Sequence, residues 1–201
     1  MLALLVSGAL VLMGIAIYNG LVRLRAQADA AWSDVEVQLK RRHALVPKLV
    51  ETVKGHAARE HGTLDAVVGA RNRAVAAAGP AASAEPEGTL TQTLRGMLAL
   101  ADADPELRAA ESFAQLQASL DQIEDAIQSA RRYYNAVVRD LNTQVGRFPA
   151  RLVAGALGFT PREIFELADE TARRLPRVEL DTGTTESLFS PGARARGNHG
   201  V

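Results

Sequence analysis

Between Glu111 and Pro149 the chain reads ESFAQLQASLDQIEDAIQSARRYYNAVVRDLNTQVGRFP, with apolar residues at Phe113, Leu116, Leu120, Ile123, Ile127, Ala130, Tyr134, Val137, Leu141, Val145 and Phe148. Steps of three and four persist for about ten turns with no Gly or Pro before Gly146, the pattern of one long amphipathic helix. A spacing so near about 3.5 residues keeps one apolar seam aimed at neighbouring helices, the condition for knobs-into-holes packing in bundles and coiled coils. No helix buries such a seam by itself, so the rest of the chain has to supply partner helices.

A chain of 201 residues holds one domain with an appendage and can bury a stable core. It has no cysteine, which excludes disulfides, thiolate metal sites and cysteine nucleophiles. Lys and Arg total 23 against 23 Asp and Glu, so no net field draws nucleic acid, and no nucleic-acid partner is expected. Aromatics at 4% and abundant Ala at helical spacing point to an all-α chain.

Residues 1–22, MLALLVSGALVLMGIAIYNGLV, carry no charged side chain. Roughly 20 apolar residues at about 1.5 Å rise cross a ~30 Å hydrocarbon layer, so this segment reads as a transmembrane anchor. A cleaved signal peptide would carry Lys or Arg before a shorter apolar run and a small-x-small site after it, whereas here no Lys or Arg precedes the run and it continues into Tyr18 and a helical pattern. Arg23, Arg25, Lys40, Arg41 and Arg42 all follow the span, which by the positive-inside rule places the bulk of the chain in the cytoplasm beneath the cell (inner) membrane. Tyr18, Arg23 and Arg25 are the expected membrane-interface residues.

The period continues through Leu24, Ala28, Ala31, Val35 and Leu39, so the membrane helix runs on into the first bundle helix, with Trp32 beside the stripe as a helix-contact residue. Pro47 interrupts it and is expected to mark a turn, although no Gly or Asn lies nearby. A second helix would then span about 47–78 with Leu49, Val50, Val53, Ala57, Leu64, Val67 and Val68 inward, followed by a loop, PAASAEPEG. Leu90, Leu94, Met97, Leu98 and Ala101 mark another helix, and Asp104-Pro105-Glu106 a capped restart. Pro149 stops the seam helix, a short helix follows to Gly158, and Thr160-Pro161-Arg162-Glu163 resembles a capping box opening a last helix to about Leu175. The expected fold is all-α: an N-terminal transmembrane helix (1–22), an antiparallel up-and-down bundle of about four long helices (23–175), and a disordered tail (176–201).

Little in the sequence carries chemistry. His56 and His61 are five apart, about 140° around a helix, so they cannot share a metal as the pair in H-E-x-x-H does. His56 and Glu60 do share a face, but two ligands make a weak site. No G-x-S-x-G, Ser-x-x-Lys or phosphate-binding Gly loop occurs, so neither catalysis nor a cofactor is expected. The remaining polar residues beside the seams are Arg42, Glu60, Arg71, Glu124, Arg131, Asn135 and Asn142, candidates for a partly buried network that fixes which helices pair.

Several blocks occur in a fixed order: Tyr18-Asn19-Gly20-Leu21-Val22, Ala31-Trp32-Ser33, Gln38-Leu39-Lys40-Arg41-Arg42, Leu45-Val46-Pro47-Lys48-Leu49-Val50, and Val53-Lys54-Gly55-His56 with Glu60. They continue with Ala70-Arg71, Phe113, Leu116-Gln117, Glu124, Ala130-Arg131, Tyr134-Asn135, Val138, Asn142 and Phe148-Pro149. From Tyr18 to about Phe165 the chain thereby resembles the LemA family of bacterial membrane-anchored proteins. It departs from the family pattern at Ala44, Lys48, His56 and Asp104. The resemblance implies a short external N-terminus, one transmembrane helix, a cytoplasmic helical bundle and no established enzymatic activity. Relatives are often encoded beside a membrane zinc peptidase, and some divergent ones serve magnetosome membrane formation.

The expected function is an interaction or scaffolding module at the cytoplasmic face of the membrane, whose partners are the lipid bilayer and another protein, for which the resemblance offers a membrane zinc peptidase. Two alternatives stand beside it: a metal-dependent or enzymatic regulator using His56, Glu60 and Arg131 in a bundle cleft, and a homo-oligomer that organises membrane.

Overall fold

The computed structural model describes residues 1–55 and 61–166. Six helices follow in order: α1 (Leu2–Lys54), α2 (His61–Ala76), α3 (Pro80–Asp102), α4 (Pro105–Ala109), α5 (Glu111–Gly146) and α6 (Ala150–Ala156). No strand occurs among the described residues, and four of the helices are long, as the periodicity predicts.

The spine is α1, 53 residues without a break. Its first part is the apolar run, whose large side chains from Leu2 to Ile15 lie exposed, and it is long and apolar enough to cross a membrane. Burial begins at Leu21 and then recurs at Ala28, Ala31, Val35, Leu39, Arg42, Val46, Leu49 and Val53, one stripe at steps of three, four and seven. Against this stripe lies α5, antiparallel, with Arg42 beside Glu124 and Trp32 beside Tyr134. The α2–α3 hairpin closes mainly the far half of the pair. There Val46, Leu49 and Val53 meet Leu64, Val67, Ala70, Leu90, Leu94, Met97 and Phe113 in one core.

Pro47 makes no turn. It lies inside α1, which runs on unbroken to Lys54. Proline has no N–H for the carbonyl four residues earlier, so the oxygen of His43 loses its helical donor. Arg71 of α2 replaces it, its Nε donating to that carbonyl at 2.8 Å. This exchange makes Arg71→Ala cost about 1–3 kcal/mol, the penalty for an unsatisfied buried acceptor. In a Pro47→Ala background, where an amide N–H returns, the same substitution should cost less than half as much; thermal melts of the four proteins form the cycle that checks it.

PAASAEPEG is likewise not a loop. Gly79, at φ +84°, makes the reversal after α2, in a conformation that side-chain-bearing residues rarely adopt, and α3 starts at once with Pro80 in its first turn. The restart at Asp104 forms as expected, its Oδ1 accepting from the backbone N–H groups of Glu106 at 2.9 Å and Leu107 at 3.3 Å.

After α6 the expected last helix does not begin at Thr160. Residues 159–166 form a non-helical strap instead, with Phe165 buried in the core of α1 and α5. Of the α2–α3 hairpin, Ala84 packs against the core of that half of the α1–α5 pair. The strap and Ala154 of α6 close the seam of Ile127, Tyr134, Val138, Leu141 and Val145 there. His56 and Glu60, the expected helical residues Leu167 to Leu175, and the tail 176–201 lie outside the described residues.

Candidate functional site

Two polar constellations are built on the spine. The first is a buried ionic hub centred on Arg42, which occupies a seam position between Leu39 and Val46 and is 0% exposed. Its Nη1 donates to Glu124 Oε2 and to Thr91 Oγ1, each at 2.8 Å. Its Nη2 donates to the carboxylate of Glu87, and His43 Nε2 lies 2.7 Å from the other oxygen of that carboxylate. The Arg42 Nε finds no acceptor among the described residues. Three helices are thus pinned at one level, α1 to α3 through Glu87 and Thr91, and α1 to α5 through Glu124.

Burial pushes the Glu87 carboxyl upward, but the His43 hydrogen bond and the charge and hydrogen bond of Arg42 outweigh it, holding the group below the usual carboxylate value. A charged Glu87 is therefore part of the folded state. Such clusters add little net stability over an apolar replacement. Loss of one member strands the others in a dry interior, so the hub specifies the pairing of α1, α3 and α5. Beside it opens a cavity of about 130 Å³ lined by Trp32, Glu36, Lys40, His43, Val75 and Glu87.

The second constellation holds the strap. Asn142 donates from Nδ2 to the Arg162 carbonyl at 2.8 Å and accepts from the Arg162 N–H at 2.8 Å. Asn135 does the same with Phe165, at 3.0 Å and 2.8 Å. Two side-chain amides on α5 thus treat the strap as a neighbouring strand would. The spacings fit: seven helical residues rise about 10.5 Å and three extended residues span about 10 Å. The Tyr134 hydroxyl donates to the Glu163 carbonyl at 2.8 Å. Burial raises the Tyr134 pKa; Arg162 opposes the shift and Glu163 and Asp29 add to it. Phe165 inserts against Trp32, ring centres 5.3 Å apart, and Trp32 also meets Tyr134 at 5.4 Å, the helix-contact role the sequence assigns it. Arg162 also pairs with Asp29 at 2.6 Å, but Asp29 is 59% exposed and the pair contributes little.

The candidate network of the sequence therefore divides. Arg42 and Glu124 meet in the hub, Arg71 serves the carbonyl of neighbouring His43, and Asn135 and Asn142 belong to the strap. Arg131 bonds only along its own helix, to Gln128 at 2.7 Å among the described contacts, and joins neither. Glu60 and His56 lie outside the described residues, and among those described no three metal-ligating side chains converge. Glu87, His43 and Thr91 are the members sequence reasoning missed. Glu87 was legible only once α3 is extended back to Pro80, which puts it on the stripe of Leu90 and Leu94. Tyr18, Arg23 and Arg25 lie where the exposed run meets the first buried residue, and the Tyr18 ring touches Phe159 at the root of the strap, centres 6.2 Å apart.

Comparison with known proteins agrees with this architecture. Magnetosome protein MamQ 2 of Paramagnetospirillum magneticum is 27% identical over 175 residues, covering 74% of this chain and 64% of the relative. The MamQ protein of Magnetospirillum gryphiswaldense is 26% identical over 174 residues, with the same coverage. Protein LemA of Metamycoplasma hominis is 24% identical over 165 residues, 82% of this chain and 73% of the relative. The chain thus spans somewhat less than two thirds of the length of the MamQ relatives. Together with the exposed apolar half of α1, these likenesses describe a membrane-associated helical protein. The LemA family profile matches residues 31–180, the stretch that holds the hub, the strap and most of the bundle, and the chain belongs to the LemA family.

Proposed function

We propose that the protein is a single-pass membrane anchor carrying a bundle that binds another protein at the cytoplasmic face, an interaction or scaffolding module rather than an enzyme. One observation carries this: a single unbroken helix, α1, is both the exposed apolar run and the spine of the bundle, so the bundle is held at a fixed distance from the bilayer. The basic residues that follow the run, Arg23 and Arg25, favour the cytoplasmic orientation. The bundle also presents apolar side chains to water at Val37, Val75 and Tyr133, and Val75 lines the cavity beside the hub.

Photocrosslinking amino acids placed at these three positions in the full chain test the proposal in native membranes. A discrete adduct with one other protein is the expected outcome. A membrane zinc peptidase would satisfy the partner the resemblance implies. Adducts only with a second copy would instead favour self-assembly, and adducts with none would overturn the interaction reading.

A further inference from the structure

The segment between α5 and the strap is built inside out for a helix in water. In α6 the small residues Ala150 and Ala154 face the bundle and are buried, while Phe148 is 76%, Leu152 66% and Leu157 55% exposed. Outside the leading run, Phe148 and Leu152 are the two most exposed large apolar side chains among the described residues. A soluble helix shows the reverse order, large residues in and small ones out.

The position of the segment says what covers it. Arg42 pairs with Glu124 and Trp32 with Tyr134, and continuing that antiparallel register brings Val145 level with Leu21. At the other end of the segment Phe159 packs on Tyr18. Residues 147–158 therefore leave and re-enter the bundle at the level of residues 18–21, where the exposed apolar run gives way to buried spine. The exposed side chains of this segment thus lie at the level where the exposed apolar run of α1 ends. Arg147 and Arg151 alternate with its apolar residues, and Arg23 and Arg25 are exposed on α1 near the same level, a set of cations suited to lipid phosphates.

We infer that Phe148, Leu152 and Leu157 form a second membrane contact, a foot that lies in the headgroup region of the bilayer beside the span. It rests on the anchor reading proposed above. Two contacts at one level fix the rotation of the bundle about α1, which a lone helix through a fluid bilayer cannot do.

The absence of native cysteine allows single-cysteine variants directly. Phe148→Cys and Leu152→Cys are spin-labelled in the full chain, in vesicles of phosphatidylcholine and phosphatidylglycerol. Leu10→Cys in the run and Tyr133→Cys on α5 serve as the deep and wet controls. Collision with oxygen relative to a water-soluble nickel chelate should rise severalfold over the Tyr133 label at both test positions and stay below the Leu10 label. Values equal to the Tyr133 control overturn the foot and leave the anchor standing. A water-exposed label at Leu10 overturns both. Strong dipolar broadening at Leu152 means that a second copy covers the face, and also overturns the foot.

Discussion

Replacing Arg42 by Met should lower the stability of the bundle by about 3–5 kcal/mol, the usual loss when one partner of a buried ion pair is removed. The side chain is 0% exposed and bonds to Glu87, Glu124 and Thr91 at once. Methionine fills much of the volume but leaves the Glu87 carboxylate, 1% exposed, with only His43 to face it, whereas Glu124 is 27% exposed and can turn to water. In a chain of this size the thermal midpoint should fall by roughly 10 °C, read by circular dichroism in detergent. Adding Glu87→Gln should restore part of the loss, because the stranded charge is then gone. Acid provides an independent check. The folded Glu87 holds its proton less tightly than the ordinary value of 4.5, so its contribution is complete above that pH and is lost as pH falls through its lowered folded value. The gap in stability between the native protein and Glu87→Gln should therefore narrow on acidification below pH 4.5. A gap that stayed constant would mean that folding leaves the Glu87 pKa unshifted, and one that widened would mean that the group is neutral in the fold.

The second large effect concerns the strap. Asn135→Ala with Asn142→Ala removes four hydrogen bonds of 2.8–3.0 Å and leaves the strap held by the Tyr134–Glu163 hydrogen bond, the exposed Arg162–Asp29 pair and the packing of Phe165. At about 1 kcal/mol for each bond, opening of residues 162–165 should become roughly a thousandfold more frequent, seen as faster amide hydrogen exchange at Arg162 and Phe165. Trp32 is the single tryptophan and lies against Phe165, so its emission should move to the red as the ring loses its cover. The melting of the α2–α3 half should change little, since its core does not include the strap. Protection unchanged at Arg162 would show that the two asparagines do not hold the segment.

What the sequence revealed and what it hid follow from the range of the interactions. The seam of α5 from Phe113 to Val145, the Asp104 cap and the stop before Pro149 are set by neighbours within a few residues and were readable, whereas Phe148, counted in the seam, lies beyond the helix end and is exposed. Arg42 was legible as a charge beside the α1 stripe, enough to ask for a partner, while its place within the seam between Leu39 and Val46 emerges only with α1 unbroken past Pro47. Pro47 misled because its cost is met from Arg71, far along the chain. PAASAEPEG misled because Pro and Gly dominate its composition, while burial of Glu87 against Arg42 favours the helix. The strap misled most. TPRE has the spacing of a capping box, yet Asn142 takes the backbone of Arg162, Asn135 takes that of Phe165, and Phe165 fills the gap beside Trp32. No local pattern encodes an extended segment whose hydrogen-bonding partner is a helix face.

The continuity of α1 has a mechanical consequence. At about 1.5 Å per residue its 53 residues make a rod some 80 Å long, with no break between the exposed apolar run and the buried stripe. With the apolar run spanning the bilayer as proposed, thinning would make this fixed hydrophobic length lean, and a lean of about 10° would swing the distal end, some 50 Å beyond the surface, through roughly 9 Å. On the anchor reading proposed above, a small change in lipid thickness would become a displacement as wide as a helix, delivered where Leu49 and Val53 meet the hairpin.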